Sequence, residues 1–338
     1  MDAFIAMLKE TRGLKDRTLH IYRTKLGALA KAITKKDYVN SNFIVNKYEH
    51  VKDFLLQQTN STKANFIKAI LVALYPVKPE GGVPVSKDPT DRETAYHNYV
   101  KLLHDTKVVY ETTIQDGAKS EKDDKNWLDW NEVLEIANKY KKLVKSKKIT
   151  GKSKDLSPSD LLLLKKYLII SLYTQIAPQR TSTFVGLKYI KPAQYKKLST
   201  EDIKDNSYLI EGANPFFSIG GNTLKNKTDT ANILNVNKQL KSVLTLWKKH
   251  NPTEYLIPNN IMTDEMNYKE FGKLFIKIFE PPYVDGKIIT PSLLRKSHIS
   301  SNKDYKDLEE AQGKAEETAK QMNHSTQVAK KVYKKKST

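Results

Sequence analysis

The segment 157–176, SPSDLLLLKKYLIISLYTQI, constrains the fold of this chain more than any other part of it. Ser157 is suited to cap the N-terminus of a helix, Pro158 fits its first position, and Asp160 follows where a capping box has its acidic residue. Apolar residues then occur on every side of the helix, and such a helix is stable when it is buried. We therefore predict the core helix of a domain here, broken by Pro178.

Helical periodicity also fills the first 115 residues. In the clearest example, apolar residues recur at spacings of three and four, the pattern of an amphipathic helix; they are Leu19, Tyr22, Leu26, Leu29 and Ile33. Another helix is expected to start from an N-cap at Ser61 and to stop before Pro76. The sequence predicts a bundle of four or five short helices over residues 1–115.

Residues 116–126 are polar, charged and without periodicity, which is typical of a linker. Beyond them, residues 127–338 predict a second domain that is mixed α/β but mostly helical. The segment 207–236 has the pattern of strands around a hairpin that bears lysines, and helices resume at Lys238. We expect a mainly α, two-lobed protein with a small antiparallel sheet in the second lobe.

Composition excludes several kinds of site. The chain has no cysteine, so it has no disulfide, no thiolate nucleophile and no zinc-thiolate centre. Its seven histidines lack the spacing of metal ligands, and we predict neither a metal nor a cofactor. No apolar stretch reaches the roughly 18 residues of a membrane span, and the N-terminus lacks the shape of a signal peptide. The expectation is a soluble, intracellular protein.

The formal net charge is +20, and it is spread unevenly. Residues 1–124 contain 20 basic against 16 acidic side chains, so most of the excess lies in the rest of the chain. A charge of this size favours a polyanionic partner such as DNA. An ordinary solvated lysine surface is the alternative, and the composition leaves both open.

Arginine is scarce, since it provides only six of the 58 basic side chains. The second half of the chain has two, Arg180 at the end of the apolar run and Arg295 in the first turn of a predicted helix. His324 and Tyr333 follow, nine residues apart, near the C-terminus. Two guanidinium groups, an imidazole and a phenol form a set suited to attack on a phosphodiester.

Residues 127–338 resemble the catalytic domain of the tyrosine recombinases, which share their chemistry with type IB topoisomerases. That family has an arginine, a lysine on a β-hairpin, a His-x-x-Arg motif, a histidine or tryptophan, and a tyrosine nucleophile. The matching positions are Arg180, Lys227, Arg295, His324 and Tyr333. Lys225 is the alternative to Lys227. Residues 1–115 resemble the family's core-binding domain. The Pro-x-Arg sequence at Arg180 resembles the variant of this motif in the recombinases of large DNA viruses and eukaryotic mobile elements.

The resemblance implies a role for each of these residues. Tyr333 would attack the scissile phosphorus and form a 3′-phosphotyrosyl link, with no need of metal or ATP. Arg180 and Arg295 would bind the non-bridging oxygens, and His324 would add a third contact. The hairpin lysine would protonate the departing 5′-oxygen.

Two positions depart from the family's pattern. Ser292 stands where the family has the histidine of His-x-x-Arg, and Thr183 stands where it usually has an acidic residue. His298, one helical turn after Arg295, is a candidate substitute for the missing base, although a surface histidine is the favoured interpretation. These departures raise the alternative of a catalytically impaired DNA-binding protein.

The leading hypothesis is a site-specific DNA recombinase or integrase. It would bind double-stranded DNA, be a monomer or weak oligomer when free, and assemble as a homo-tetramer on DNA. A type IB topoisomerase that relaxes supercoils as a monomer is the alternative with the same chemistry. The abundance of Lys, Asn and Ile suggests an A+T-rich genome, as in a virus or mobile element.

Overall fold

The computed structural model describes residues 1–36, 40–88, 90–115, 119–153, 156–224 and 227–303, with residues 307, 310, 311, 314 and 317. The chain divides into two units, Met1–Lys119 and Ser120–Thr338. Each unit has a hydrophobic core of its own. None of the helices within the described ranges combines the length and the apolar character that crossing a bilayer requires.

The described part of the first unit is helical. Its helices are α1 (Asp2–Arg12), α2 (Asp16–Thr34), α3 (Ser41–Asn46), α4 (Tyr48–Leu56), α5 (Asn60–Leu74) and α6 (Arg92–Gln115). The apolar helix α5 packs against α2 and α6, and Ile67, Ile70 and Leu74 on it are fully buried. The prediction of four or five short helices is wrong in number and in length. The chain breaks between α3 and α4 at Lys47, and α6 has 24 residues.

The predicted start of α5 is also wrong by two residues. Thr59 has the extended backbone of an N-cap, with φ −59° and ψ 150°, and Ser61 lies inside the first turn. The Thr59 hydroxyl donates to Thr62 Oγ1 at 3.0 Å. The helix ends at Leu74, two residues before Pro76, where the sequence predicts its stop.

The second unit combines helices with a small sheet. Its helices are α7 (Glu121–Lys125), α8 (Trp130–Ser146), α9 (Pro158–Thr174), α10 (Thr181–Phe184), α11 (Pro192–Tyr195), α12 (Thr200–Asp205), α13 (Lys238–His250), α14 (Tyr268–Phe279) and α15 (Pro291–Ser301). Its strands are β1 (Lys188–Ile190), β2 (Tyr208–Ile210), β3 (Phe216–Ile219) and β4 (Asn232–Asn235).

Helix α9 is the core helix that the sequence predicts. Ser157 caps it by accepting from the Asp160 backbone N–H at 3.1 Å, and Pro158 occupies its first position. Helices α8, α13 and α14 pack around it. Leu164, Leu168 and Leu172 are 0% exposed. The element that carries Arg180 at its C-terminal end is therefore fixed on several sides.

The sheet is mixed rather than antiparallel. Its strand order is β1-β2-β3-β4, with β1 parallel to β2 and the other pairs antiparallel. The parallel pair arises because the chain returns from β1 through α11 and α12, whereas a tight turn would reverse its direction. Strands β3 and β4 enclose the connection that holds Lys227, as the hairpin prediction expects.

The predicted linker, residues 116–126, contains helix α7. Asp123 of α7 forms an ion pair with Lys296 of α15 at 2.6 Å. The Asn126 side-chain oxygen accepts from the Ile288 backbone N–H at 2.6 Å. The C-terminal part of this segment is therefore attached to the second unit, while the identification of residues 1–115 as a core-binding domain stays a prediction.

A buried lysine lies in the middle of α9. Lys165 is 3% exposed, and its Nζ donates to the Pro258 carbonyl at 3.2 Å and to the Asn259 carbonyl at 3.0 Å. Burial lowers the pKa of Lys165 to about 8, because the charged form is desolvated; Glu270 opposes this weakly. The lysine joins α9 to the loop before α14 through neutral acceptors.

We expect Lys165→Met to remove a pH dependence of stability. The folded-state pKa of about 8 lies below the unfolded value of 10.5, so the unfolded chain binds this proton more tightly. The stability of the native protein relative to the variant should therefore rise between about pH 8 and pH 10, by about 3 kcal/mol at most. Urea unfolding followed by tryptophan fluorescence measures this, since Trp127, Trp130 and Trp247 all belong to the second unit.

The variant also leaves the Pro258 and Asn259 carbonyls without a donor. This loss lowers the free energy of unfolding by the same amount at every pH. Parallel stability curves for the two proteins over this range would show that Lys165 has an ordinary pKa.

Candidate functional site

Arg180 lies where the chain leaves α9 and turns into the short helix α10. It is the residue before Thr181, has an extended backbone with φ −72° and ψ 154°, and is exposed. Its carbonyl accepts from the Thr183 N–H at 2.9 Å. Its guanidinium forms no hydrogen bond or ion pair with the described residues. All five of its N–H donors are thus directed to solvent or to a ligand.

Arg295 is positioned by the first turn of α15. The Thr290 side chain caps this helix by accepting from the Leu293 N–H at 3.3 Å, and Pro291 is its first residue. Leu293 and Leu294 are buried, so this turn packs against the core of the second unit. Arg295 itself is half-buried, and this fixes its side chain more than full exposure would.

A hydrogen bond connects the two arginine segments. Arg295 Nε donates to the carbonyl of Pro178 at 3.2 Å, across 117 positions of sequence. Pro178 is buried and stands two residues before Arg180. The bond uses Nε, so both terminal NH2 groups of Arg295 remain as donors. The structure thereby brings together the loops of the two arginines of this unit.

A buried tyrosine lies beneath this junction. Tyr173 is 0% exposed, and its ring packs edge-on against Phe184 and Phe275, with centroids 5.6 and 4.9 Å away. Burial raises the pKa of Tyr173, while the Thr181 hydroxyl and the Arg295 charge act in the opposite direction. Thr181 and Arg295 are thus both near the phenol, although its oxygen makes no hydrogen bond of normal geometry with described residues.

Lys227 lies in the connection between β3 and β4 and is exposed. The turn beside it is tight: the Thr228 N–H donates to the Gly221 carbonyl at 3.4 Å, and an added Cβ on Gly221 would come within 2.1 Å of the Thr228 carbonyl oxygen. Within the described residues, no contact joins Lys227 to either arginine. The choice between Lys227 and Lys225 stays open, since Lys225 lies outside those residues.

The structure gives different environments to Ser292, at the position of the family's histidine, and to His298, the candidate substitute for the missing base. Ser292 is exposed in the first turn of α15, three residues before Arg295. His298 is half-buried, and its ring packs edge-on against Trp130 with the centroids 4.6 Å apart. The interpretation of His298 as a surface histidine is wrong, because α15 packs against α8 on this side.

The environment of His298 is apolar. Burial lowers its pKa, so the ring is neutral near pH 7. Its Nδ1 is buried and has no hydrogen-bond partner among the described residues. The ring thus faces Trp130, and no observed contact brings it to Arg180.

Two of the predicted residues, His324 and Tyr333, lie outside the described residues, and their roles stay predictions. Thr183, at the position of the family's acidic residue, is 4% exposed. Tyr173 and Thr181 are neighbours of the arginines that the sequence did not single out. The available signal was a tyrosine seven residues before Arg180 in an otherwise mainly aliphatic helix end.

No family model, curated protein or solved structure matches the chain. The likeness to tyrosine recombinases therefore depends on the residue pattern and on the arginine geometry, and it enters below as a proposal. Among the described residues, no three His, Asp or Glu side chains are grouped as metal ligands would be.

We expect Tyr173→Phe to keep or increase stability, by up to about 1 kcal/mol, because it removes a buried hydroxyl that lacks a partner. Tyr140→Phe is the matched control: the Tyr140 hydroxyl is also buried but donates to the Ile278 carbonyl at 3.0 Å. Its loss should cost about 1 kcal/mol. Urea unfolding measures both variants, and equal destabilisation would mean that the Tyr173 hydroxyl has a partner.

Proposed function

We propose that this protein is a DNA strand transferase of the tyrosine-recombinase type, which cleaves and rejoins DNA through a covalent 3′-phosphotyrosyl intermediate. One observation carries the proposal. The hydrogen bond from Arg295 Nε to the Pro178 carbonyl joins Arg295 to the segment that leads into Arg180, and these two are the only arginines beyond residue 92. A chain that uses lysine for 52 of its 58 basic residues has arginine at both positions.

Arginine at these positions has a chemical reason. A guanidinium is planar and permanently charged, and it donates paired hydrogen bonds to two oxygens of one phosphate, which an ammonium does not. Arg180 has no competing partner among the described residues, and Arg295 keeps two NH2 groups for a ligand. Because Arg295 is anchored through Nε, it needs little reorganisation as charge develops on the phosphate oxygens.

The reaction balances without an external oxidant or reductant. The Tyr333 oxygen would attack the scissile phosphorus, and the bond from phosphorus to the 5′-oxygen would break. The tyrosine proton would leave to a base, and the 5′-oxygen would take a proton from Lys227 or Lys225. One phosphodiester is exchanged for another, so the reverse attack by a 5′-hydroxyl rejoins the strand.

The charge of the chain agrees with a DNA partner. With +20 overall, and most of it beyond residue 124, the second unit would attract a phosphate backbone at long range. We propose site-specific recombination or integration on double-stranded DNA, with residues 1–115 as the core-binding domain. A tetramer would form on DNA, because exchange of two duplexes uses four active sites. The protein would act wherever its DNA lies inside the cell.

Two features favour a second candidate, a DNA-binding protein with impaired catalysis. Ser292 is exposed and cannot act as an imidazole base, and buried Thr183 supplies no carboxylate. A topoisomerase-like activity is the other alternative, and it would relax supercoiled plasmid without strand exchange.

We expect Arg180→Lys to lower DNA cleavage about 10²- to 10³-fold and to leave DNA affinity within a few-fold, because charge survives and the paired donors do not. The measurement is the yield of SDS-resistant adduct on nicked suicide duplexes of random sequence. Tyr333→Phe should give no adduct at all. Arg17→Lys is the control, since Arg17 is exposed and lies in the first unit, and it should cleave normally.

Normal cleavage by Arg180→Lys would remove Arg180 from the reaction, and an adduct with Tyr333→Phe would identify another nucleophile. Tight, salt-sensitive binding without any adduct from the native protein would favour the impaired scaffold.

We expect Arg180→Lys and Arg295→Lys to be non-additive. If both guanidiniums bind one phosphate, the double variant should lose clearly less cleavage than the product of the two single losses. The adduct yields of the native protein, the two single variants and the double variant, all measured at saturating protein, form a double-mutant cycle. Strictly multiplicative losses would place the two arginines at separate sites.

A further inference from the structure

Helix α13 carries a row of cations on its outer side. Lys238, Lys241, Thr245 and Lys249 follow one another at spacings of three and four residues, so they lie on one stripe. The opposite side, with Leu240, Val243, Leu244 and Trp247, is buried in the core. The helix contains no acidic residue.

The stripe lies along a continuous groove. One cavity lies between α8, α9 and α13 and includes Lys141 and Lys145 of α8. It shares Ser242 and Leu246 with the cavity over the stripe itself. That second cavity shares Lys241, Thr245 and Lys249 with a third, which reaches the sheet. A concave surface of one sign focuses the electrostatic potential more than isolated charges do.

Six lysines line the groove and only one acidic side chain, Glu211, does so; the lysines are Lys141, Lys145, Lys238, Lys241, Lys248 and Lys249. None of the six forms an ion pair with a described residue. Other lysines of the same unit do have carboxylate partners, for example Lys188 with Glu254 at 2.7 Å and Lys204 with Asp229 at 2.9 Å. The groove is thus depleted of counter-charges.

Two of these lysines are at the unfavourable end of a helix. Lys238 is the first residue of α13 and Lys241 is in its first turn, where the helix dipole opposes a cation. Lys241 is held there by donating to the Ala213 carbonyl at 2.6 Å. A bound anion would be attracted both by these lysines and by the N-terminus of the helix dipole.

The groove lies on the other side of α9 from Arg295. Tyr167, Ser171 and Gln175 line the groove at spacings of four residues, so they share one side of α9. Tyr173, which is near Arg295, is two residues from both Ser171 and Gln175 and therefore points roughly 200° away. The two cationic surfaces do not belong to one site.

We propose that the α8–α13 groove binds the backbone of a second DNA duplex while the arginine site holds the first. This inference rests on the proposed function for the identity of the first duplex. The groove is lined by lysines and by no arginine, so we expect it to contact phosphates without recognising base sequence. From Lys238 to Lys249 the stripe extends about 16 Å, which corresponds to several base pairs of duplex.

The test is capture of a labelled 20-base-pair duplex by protein already bound to an immobilised duplex. The variant Lys145→Gln, Lys238→Gln, Lys249→Gln removes three exposed groove lysines. We expect it to lose capture at least tenfold while its adduct yield stays within about twofold of native. The slope of log affinity for the second duplex against log salt should fall by about 2 to 3.

The matched control is Lys269→Gln, Lys273→Gln, Lys277→Gln, which removes three exposed lysines from one side of α14 in the same unit. We expect it to capture the second duplex normally. Equal loss in both triple variants would show an effect of net charge alone and would overturn the proposal. Unchanged capture by the groove variant would overturn it as well.

The two proposals fail in different ways. Adduct formation without capture by the native protein would refute the groove and leave strand transfer in place. Capture that depends on the groove lysines, without any adduct, would refute strand transfer and support the groove. Polyglutamate that displaces the second duplex at equal charge concentration would indicate an acidic protein partner and would contradict the assignment to DNA.

Discussion

The burial of the apolar residues of α9 in the core is the constraint on which the second unit depends. A helix satisfies its backbone groups internally, so an apolar one can be enclosed by α8, α13 and α14 without leaving main-chain groups unpaired. Its C-terminal end then has a fixed position, and the chain leaves it through Pro178 toward Arg180. The arginine loop acquires its rigidity from the core and not from the surface.

Two of the buried polar groups of α9, the Lys165 ammonium and the Tyr173 hydroxyl, differ in whether they have a hydrogen-bond acceptor. Lys165 has two carbonyl acceptors, so the cost of burying it is reduced and α9 is joined to the loop before α14. The Tyr173 hydroxyl has no such acceptor, and it lies where Thr181 and Arg295 approach. An unsatisfied group is found where the two arginine segments meet, and residues beside a ligand site commonly retain such groups.

The sequence predicts local features well where a single residue decides them. Ser157 caps its helix as expected, since a side-chain acceptor next to a proline has few alternatives. The prediction at Ser61 fails because the helix begins earlier, with Thr59 at the N-cap position and without a capping bond from its side chain. The parallel pairing of β1 was not predictable, because strand direction depends on where α11 and α12 return the chain.

In the candidate site, too, the sequence predicts single residues but not the contacts between distant segments. The sequence pattern singles out Arg180 and Arg295, but the bond between Arg295 and Pro178 spans 117 positions and has no local signal. His298 has the sequence environment of a surface residue, and only the packing of α15 on α8 buries its Nδ1. In the sequence, Lys165 only interrupts an apolar run, and its two acceptors lie more than 90 residues away.

Arginine and lysine occupy different surfaces of this unit, and the difference matches the hydrogen-bond geometry of each side chain. Arg295 lies near Tyr173 and is anchored through Nε, which leaves its two NH2 groups for a bidentate contact, and Arg180 follows two residues after the carbonyl that anchors Arg295. The lysines of the α8–α13 groove are point charges on long stems, which suit a backbone that can slide. Under the two proposals, the arginine side of α9 would hold a phosphate and the groove side would attract the backbone of a second duplex.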